Sequence, residues 1–473
     1  MRWRVMALLG FALLLRLLFM VLAGVNAPLT GDEVAYQQIA VNVASGLGFW
    51  EDTNPFFPQQ VLHAWQAPVY PLSLAAIYFV LGQKLLFARL FGIVISTATV
   101  YVTYDLAARV FEDQRAALAS GLLLALYPGF LTNAHLLLSE TLFSFCVMLA
   151  FDLVARGTPG RTLQLPATFR ETWYAAAAGT VWGLATLTRG ITLYFAPILA
   201  LWIVWNRPPT HVPRLPILRS VIAGCVFLVM TAAVIAPWTI RNYAVFRQFV
   251  LLETKGGVNF WLGNSPYTPP DFIRNVWKVG VREPILGALP ADEVQRDRTA
   301  YALGMAYVTH DPATFMARMP VKFADLWGFE RNLSDVAEET GPGRGWNSPS
   351  KLAADAFAGV MYVAVMIAAI FGLTLGPNRV RTNEGPPWKL FFGGFIIYFC
   401  AIHVVVFGDG RFHLPLIPVL VLYGGWFLAN LRNTSYSRAA VTLSVATVMV
   451  FAAIWVHQGF AAWDMLRKVT KPL

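Results

Sequence analysis

The sequence predicts an all-α polytopic membrane protein with about eleven transmembrane helices, interfacial helices and two outward-facing loop regions. Three observations predict it. Of 473 residues, 57% are hydrophobic and only 13% charged, with a mean hydropathy of +0.56. A soluble domain carries roughly a quarter charged residues, so a soluble enzyme is excluded. Apolar runs near the ~20 residues that a bilayer core requires recur along the chain. Lys and Arg, the source of the net charge of +10, gather in alternate connections between those runs. They form no continuous basic face, which fits the positive-inside rule and argues against nucleic acid as a partner.

The first run extends from about Val5 to Ala23, and Arg2 and Arg4 before it place the N-terminus in the cytoplasm. Val25-Asn26-Ala27 resembles a signal-peptide cleavage site, but Arg16 within the run and the many later spans favour an uncleaved anchor. Further runs lie near 86–108, 116–134, 137–155, 173–188, 191–205, 217–237, 356–375, 389–407, 412–431 and 439–458. The cytoplasmic connections would then carry Arg109 and Arg115; Arg156, Arg161 and Arg170; Arg207, Arg214 and Arg219; Arg379, Arg381 and Lys389; and Arg432 and Arg438. That alternation requires 63–83 not to cross; this Pro-interrupted stretch, with Trp65 and Tyr70 near its start, reads as an interfacial helix. Cys146, Cys225 and Cys400 each sit in an apolar run, so they read as small hydrophobes and offer no disulfide framework.

The expected organisation is a first transmembrane helix at 1–24, an outward loop with interfacial helices and an acidic motif at 25–84, and a bundle at 85–237. A large outward region at 238–355, a C-terminal bundle at 356–458 and a tail at 459–473 complete it. Within the outward region, helix-like patches run from Asp292 to Val308 and from Pro312 to Trp327, the latter broken by Pro320. GPGRGWNSPS at 341–350 is a flexible loop by composition. No internal repeat suggests a transporter built of two related halves.

Residues suited to chemistry concentrate at the outer ends of the runs. Gly31-Asp32-Glu33 follows the first run, and Asp32 fits either a helix N-cap or a catalytic base. Glu140, in SETLF, is either a helix-dipole residue or an acid facing a wet cavity. His135 nearby reads as lining the same interface. Arg189, in LTRGI, lies in a tight outer connection where positive-inside statistics disfavour Arg, pointing to an anionic partner. Arg241 and Asn242 exit the next long run, and Lys255, Asn259 and Asn264 follow in KGGVNFWLGN, which suits close approach to a polar ligand. In FGDGRFHLPLIP at 407–418, Gly408 and Gly410 permit a tight turn, while Arg411 offers bidentate phosphate recognition or an ion pair with Asp409. His403 and His413 read as polar core residues.

GDEVAY at 31–36, APVYP at 67–71, LSETLF at 138–143, GLATLTRGITL at 183–193, APWTIRN at 236–242 and GDGRFHLPLIP at 408–418 occur in an order that resembles a known family. The chain is similar to the GT-C superfamily of membrane glycosyltransferases, in particular the branch of protein O-mannosyltransferases and lipid A aminoarabinose transferases. It departs from the latter in having Ala67-Pro68 where Lys-Pro-Pro is typical, and no segment of these 473 residues resembles the extra soluble domain of eukaryotic protein O-mannosyltransferases. The resemblance implies a GT-C fold and inverting transfer of a sugar from a polyprenyl-phosphate carrier to an acceptor hydroxyl on a protein, glycan or lipid. It also implies Asp32 as base supported by Glu33, and Glu140 orienting the acceptor. Arg411, Arg241, Arg189 and Lys255 would neutralise the donor phosphate, with Tyr36, Asn259 and Asn264 binding substrate. No metal is predicted, although paired acids suit a divalent ion; there is no DxD-type cluster. The expected setting is a bacterial inner or plasma membrane with the site on the periplasmic or extracellular side. The alternative function is a lipid or glycolipid transporter without bond-forming chemistry, which would distribute ionisable residues along a mid-membrane path rather than at one face.

Overall fold

A computed structural model describes residues 2–157, 167–205, 215–269, 284–329, 348–377, 387–432 and 436–469. Positions 341–347 of the expected loop, and Arg161, Arg207, Arg214, Arg379 and Arg381, lie outside them. Among the described residues the chain is helical, with one isolated antiparallel bridge between Glu51 and Leu62.

The first half comprises α1 (Arg2–Ala23), α2 (Asp32–Ala44), α3 (Val69–Leu81), α4 (Leu85–Phe111), α5 (Gln114–Leu126), α6 (Pro128–His135), α7 (Ser139–Gly157), α8 (Ala167–Thr186), a 3₁₀ turn (Gly190–Phe195) running into α9 (Ala196–Trp205), and α10 (Leu215–Phe246). Then come α11 (Gly256–Gly263), α12 (Glu293–His310), α13 (Pro312–Leu326), α14 (Ser348–Leu375), α15 (Trp388–Val405), a second 3₁₀ turn (Gly410–Leu416), α16 (Ile417–Asn430) and α17 (Arg438–Val469). In the bundle α7 lies between α4 and α8, α8 packs along α10, and α16 is held between α5 and α14.

Among the described residues, seven helices are long and apolar enough to cross a membrane, and an eighth span results if α5 and α6 count as one. The expected eleven is not reached by length and composition. The difference lies partly in α7, which carries Glu140, Asp152 and Arg156. Its burial explains how it tolerates them: Phe143, Val147, Met148 and Phe151 are fully buried, and Asp152 pairs with Arg109 and Arg156, so little of this helix must match lipid. The turn and α9 form one short apolar helix, Gly190–Trp205.

Buried polar groups account for the main irregularity. Between α5 and α6 the axis bends by 55°, freeing carbonyls from the helical ladder. Arg16 of α1 donates Nε to Ser96 Oγ at 2.8 Å and Nη1 to Ala125 O at 3.4 Å, while Ser96 Oγ donates to Phe130 O at 3.3 Å. The intramembrane arginine thus serves the bend. Two prolines behave unlike ordinary breakers: α10 runs through Pro237 to Phe246, and α13 is continuous across Pro320, contrary to the expected break. Each proline removes one ladder bond, and packing on α15 holds α13 helical despite that loss.

Candidate active site

Gly31 adopts φ 56°, a left-handed conformation that favours glycine, and from it the chain turns directly into α2. Asp32 is the first helical residue rather than the cap. Glu33 turns back to other segments: its Oε2 accepts from Thr30 N at 3.1 Å and its Oε1 from Leu137 N at 2.8 Å. Asp32 Oδ2 accepts from Arg411 Nη2 at 2.9 Å.

Arg411 is aimed by the turn that precedes it. Asp409 Oδ1 accepts from Arg411 backbone N at 3.0 Å, so Asp409 caps the second 3₁₀ turn and leaves the guanidinium to other partners. Gly408 and Gly410 have no positive φ; they are needed for clearance. A Cβ at Gly408 would lie 2.0 Å from Lys322 O, and one at Gly410 would lie 2.7 Å from Phe329 O. The turn is therefore pressed onto α13 and the residues after it, where Lys322 Nζ donates to Asn264 Oδ1 at 2.7 Å and Val405 O at 3.2 Å.

Glu140, in the first turn of α7, is 2% exposed. Its Oε1 lies 2.7 Å from Arg189 Nη1 and 3.9 Å from Arg411 Nε. Both guanidiniums sit 5.3 Å from the Phe412 ring, which separates two like charges while offering each a π face. Tyr36 donates its hydroxyl to Ser139 Oγ at 3.2 Å, and Lys255 Nζ lies 3.3 Å from Glu253 and 3.2 Å from Gln66 Oε1. Two carboxylates and two guanidiniums thus neutralise one another at the core of the site; Glu140 is buried, whereas Asp32, Arg189 and Arg411 are partly exposed.

This quartet lines a cavity of about 510 Å³ together with Tyr36, Ser139, Lys255 and Asn259. Apolar side chains line it too, among them Ile191, Leu193, Tyr194, Phe249, Ile402 and Phe407. Burial alone would raise the Asp32 carboxyl, but Arg411, Lys255 and Arg189 outweigh it and hold it below the ordinary carboxylate value. Burial alone would lower the Lys255 ammonium, but Glu253, Tyr36 and Asp32 together outweigh it and hold it above the ordinary value. Burial raises the Glu33 carboxyl despite its hydrogen bonds to Leu137 and Thr30.

Asp32, Tyr36, Glu140, Arg189, Lys255, Asn259 and Arg411 are therefore brought together, whereas Glu33, Arg241 and Asn264 lie off the cavity lining. Arg241 donates to His63 O at 2.8 Å and Phe49 O at 3.0 Å and stacks over Trp238, tying the 49–63 loop to α10. Asn264 is occupied by Lys322, Phe260 O and Val405 O. His135 lies off the lining too, fully buried against Arg89. His413 stacks on Trp327 as a polar core residue, but His403 lines the cavity. Gln66, Ser139, Glu253 and Asp297 also line it and were not anticipated. Ser139 is the direct neighbour of Glu140, and Glu253 stands two residues before Lys255; that adjacency was the available signal. Among the described residues, no group of three or more His, Cys, Asp or Glu is placed to hold a metal ion.

Solved structures are similar to the chain in fold. The apo oligosaccharyltransferase of Archaeoglobus fulgidus is similar at TM-score 0.50 and 15% identity, over 94% of this chain and 54% of that one. ArnT from Cupriavidus metallidurans bound to undecaprenyl phosphate matches at TM-score 0.42 and 16% identity, over 99% of this chain and 80% of that one. The S. cerevisiae protein O-mannosyltransferase Pmt1-Pmt2 complex bound to the sugar donor matches at TM-score 0.41 and 16% identity, over 59% of this chain and 37% of that one. The chain spans about half the length of the archaeal enzyme. No curated protein matches it. Residues 9–252, more than half of the sequence, match the model of the family described as dolichyl-phosphate-mannose-protein mannosyltransferase. With the ordered motifs and the helical bundle of a multi-pass membrane protein, that match establishes that the chain belongs to the dolichyl-phosphate-mannose-protein mannosyltransferase family of GT-C membrane glycosyltransferases.

Proposed function

We propose that the chain is an inverting glycosyltransferase that moves a sugar, mannose by family description, from a polyprenyl-phosphate carrier to an acceptor hydroxyl on the outer face of the membrane. The observation that carries the reading is the contact of Arg411 with Asp32 at 2.9 Å beside Glu140, within a cavity lined by both charged and apolar side chains. Asp32 takes the proton of the acceptor hydroxyl as its oxygen attacks the anomeric carbon. The bond from that carbon to the phosphate oxygen breaks, and its electron pair stays on the departing polyprenyl phosphate. Arg411, Arg189 and Lys255 meet the charge that grows on that oxygen. Glu140 orients the acceptor and holds Arg189 in place, while Tyr36 and Asn259 supply hydroxyl and amide contacts to the sugar.

The order of events follows from the charge balance. The two guanidiniums are already matched by two carboxylates, so a donor phosphate competes for Arg411 and releases Asp32 to meet the acceptor on the face of the anomeric carbon away from the leaving group, as inversion requires. The base is thereby freed when the donor arrives. The acceptor, a hydroxyl of a protein, glycan or lipid, then binds second. The ion-paired cluster of Asp105, Arg109, Asp152 and Arg156, at the opposite ends of α4 and α7 from the cavity, supports an outward-facing site under the positive-inside rule.

The test is Asp32→Asn in purified protein supplied with radiolabelled polyprenyl-phosphate mannose. Transfer is expected to fall by about 100- to 10,000-fold with polyprenyl-phosphate binding retained. Near-normal transfer would remove Asp32 as the base.

A further inference from the structure

The two carboxylates of the site come from segments more than a hundred residues apart, and each would repel the other. Something must set their spacing. Beneath them lies a buried polar layer that the chemistry above does not use. Arg89 of α4 is 1% exposed and makes every one of its hydrogen bonds to just two segments. Its Nη1 donates to Gly24 O and to His135 Nε2, the latter at 2.9 Å, and its Nη2 donates to Ala27 O at 2.6 Å. Asp32 follows Ala27 by five residues, and Glu140 follows His135 by five.

A second cross-link runs parallel to the first. Glu33 joins Thr30 N to Leu137 N, at 3.1 and 2.8 Å, between the same two segments. Burying a guanidinium this completely is costly, the more so as Arg89 Nε has no hydrogen-bond partner among the described residues, and an apolar side chain of similar size would fill the volume without that cost. What the arginine adds is direction: a planar fork that fixes the segment entering α2 against the end of α6. His135 is itself seated by an edge contact with Phe19 at 5.9 Å, so the fork meets a ring that is already oriented.

We propose that Arg89 is a positioning residue which, through His135 and in parallel with Glu33, sets the separation of Asp32 and Glu140 around Arg411. Glu33 is thereby assigned to positioning rather than to proton transfer. The inference rests on the proposed roles of Asp32 and Glu140, and its test includes a readout independent of catalysis.

The experiment compares Arg89→Lys and Arg89→Gln with the unmodified full-length protein in nanodiscs, with polyprenyl-phosphate mannose as donor. Expected is a fall in kcat of about 100-fold, with the donor KM within about 3-fold, because misplacement of the reacting groups costs rate more than binding. Amide exchange at 134–138 and 27–33 is expected to accelerate by about 10-fold or more, while the melting temperature shifts by no more than a few degrees. In the Asp32→Asn background, Arg89→Lys is expected to add little, since one effect acts through the other. If the arginine variants do not fold, His135→Gln supplies the same comparison. Unchanged kcat, unchanged exchange in both segments, full additivity with Asp32→Asn, or failure of His135→Gln to fold would each overturn the proposal. Normal transfer by Asp32→Asn alone would instead overturn the functional reading, and the exchange measurement would still judge Arg89.

Discussion

Arg411 Nη2 lies 2.9 Å from Asp32 Oδ2, although the two residues stand 379 positions apart in sequence. The contact closes the bundle on itself: the segment after the first helix is bonded to the hairpin between α15 and α16. It also helps to hold the Asp32 carboxyl below its ordinary value, because the guanidinium counters the upward pull of burial.

Replacing Arg411 should therefore change both donor binding and pH dependence. Arg411→Ala is expected to weaken undecaprenyl-phosphate binding by about 10- to 100-fold, with Arg411→Lys intermediate because a point charge replaces a planar fork. A base must be ionised, so activity falls as pH drops through its pKa. Removing the cation lets that pKa rise, and the acid limb of the rate profile should move to higher pH. An acid limb that stays in place would show that Arg411 does not tune Asp32.

Arg241 should behave differently, since its guanidinium holds His63 O and Phe49 O instead of facing the cavity. Arg241→Ala is expected to destabilise the protein by about 1–3 kcal/mol through unpaired carbonyls, with undecaprenyl-phosphate affinity changed by less than about 3-fold. Calorimetric melting and a binding titration read the two effects separately. Loss of phosphate binding as large as that of Arg411→Ala would return Arg241 to the donor site.

Glu51 supplies a stability prediction with a defined sign. It is 0% exposed, and neither carboxyl oxygen has a hydrogen-bond partner among the described residues. Burial pushes its carboxyl up from 4.5 to about 8, with Lys255 pulling the other way. Between those values the unfolded chain has lost the proton that the folded chain keeps, so this group lowers stability as pH rises from 4.5 to about 8. Glu51→Gln should raise the melting temperature by a few degrees at pH 8.5 and change it little at pH 4.5. An equal shift at both pH values would mean that the carboxyl does not titrate in that window.

Residue pattern alone determined the all-helical membrane class, because of the two structures that satisfy their backbone in lipid, helices and closed barrels, unbroken apolar runs of about 20 residues fit only the helix. It also marked Asp32, Glu140, Arg189, Lys255 and Arg411, since a charge beside an apolar run is costly unless it has a use. The ends of helices near those positions were legible for the same reason, as the runs themselves bounded them. What local pattern could not decide was direction. Asp32 and Glu33 are adjacent on one helix, yet one faces the cavity and the other turns back to Thr30 and Leu137. Asp409 and Arg411 are near neighbours that pair only through the backbone, while the arginine reaches across the bundle. Arg241 shared its predicted side with Arg189 but spends its charge on loop carbonyls, and Arg89 and His135 drew no attention to themselves as partners. Only tertiary packing settles such choices, because a charged group removed from water takes whichever complementary group the fold places within reach, and that group is usually distant in sequence.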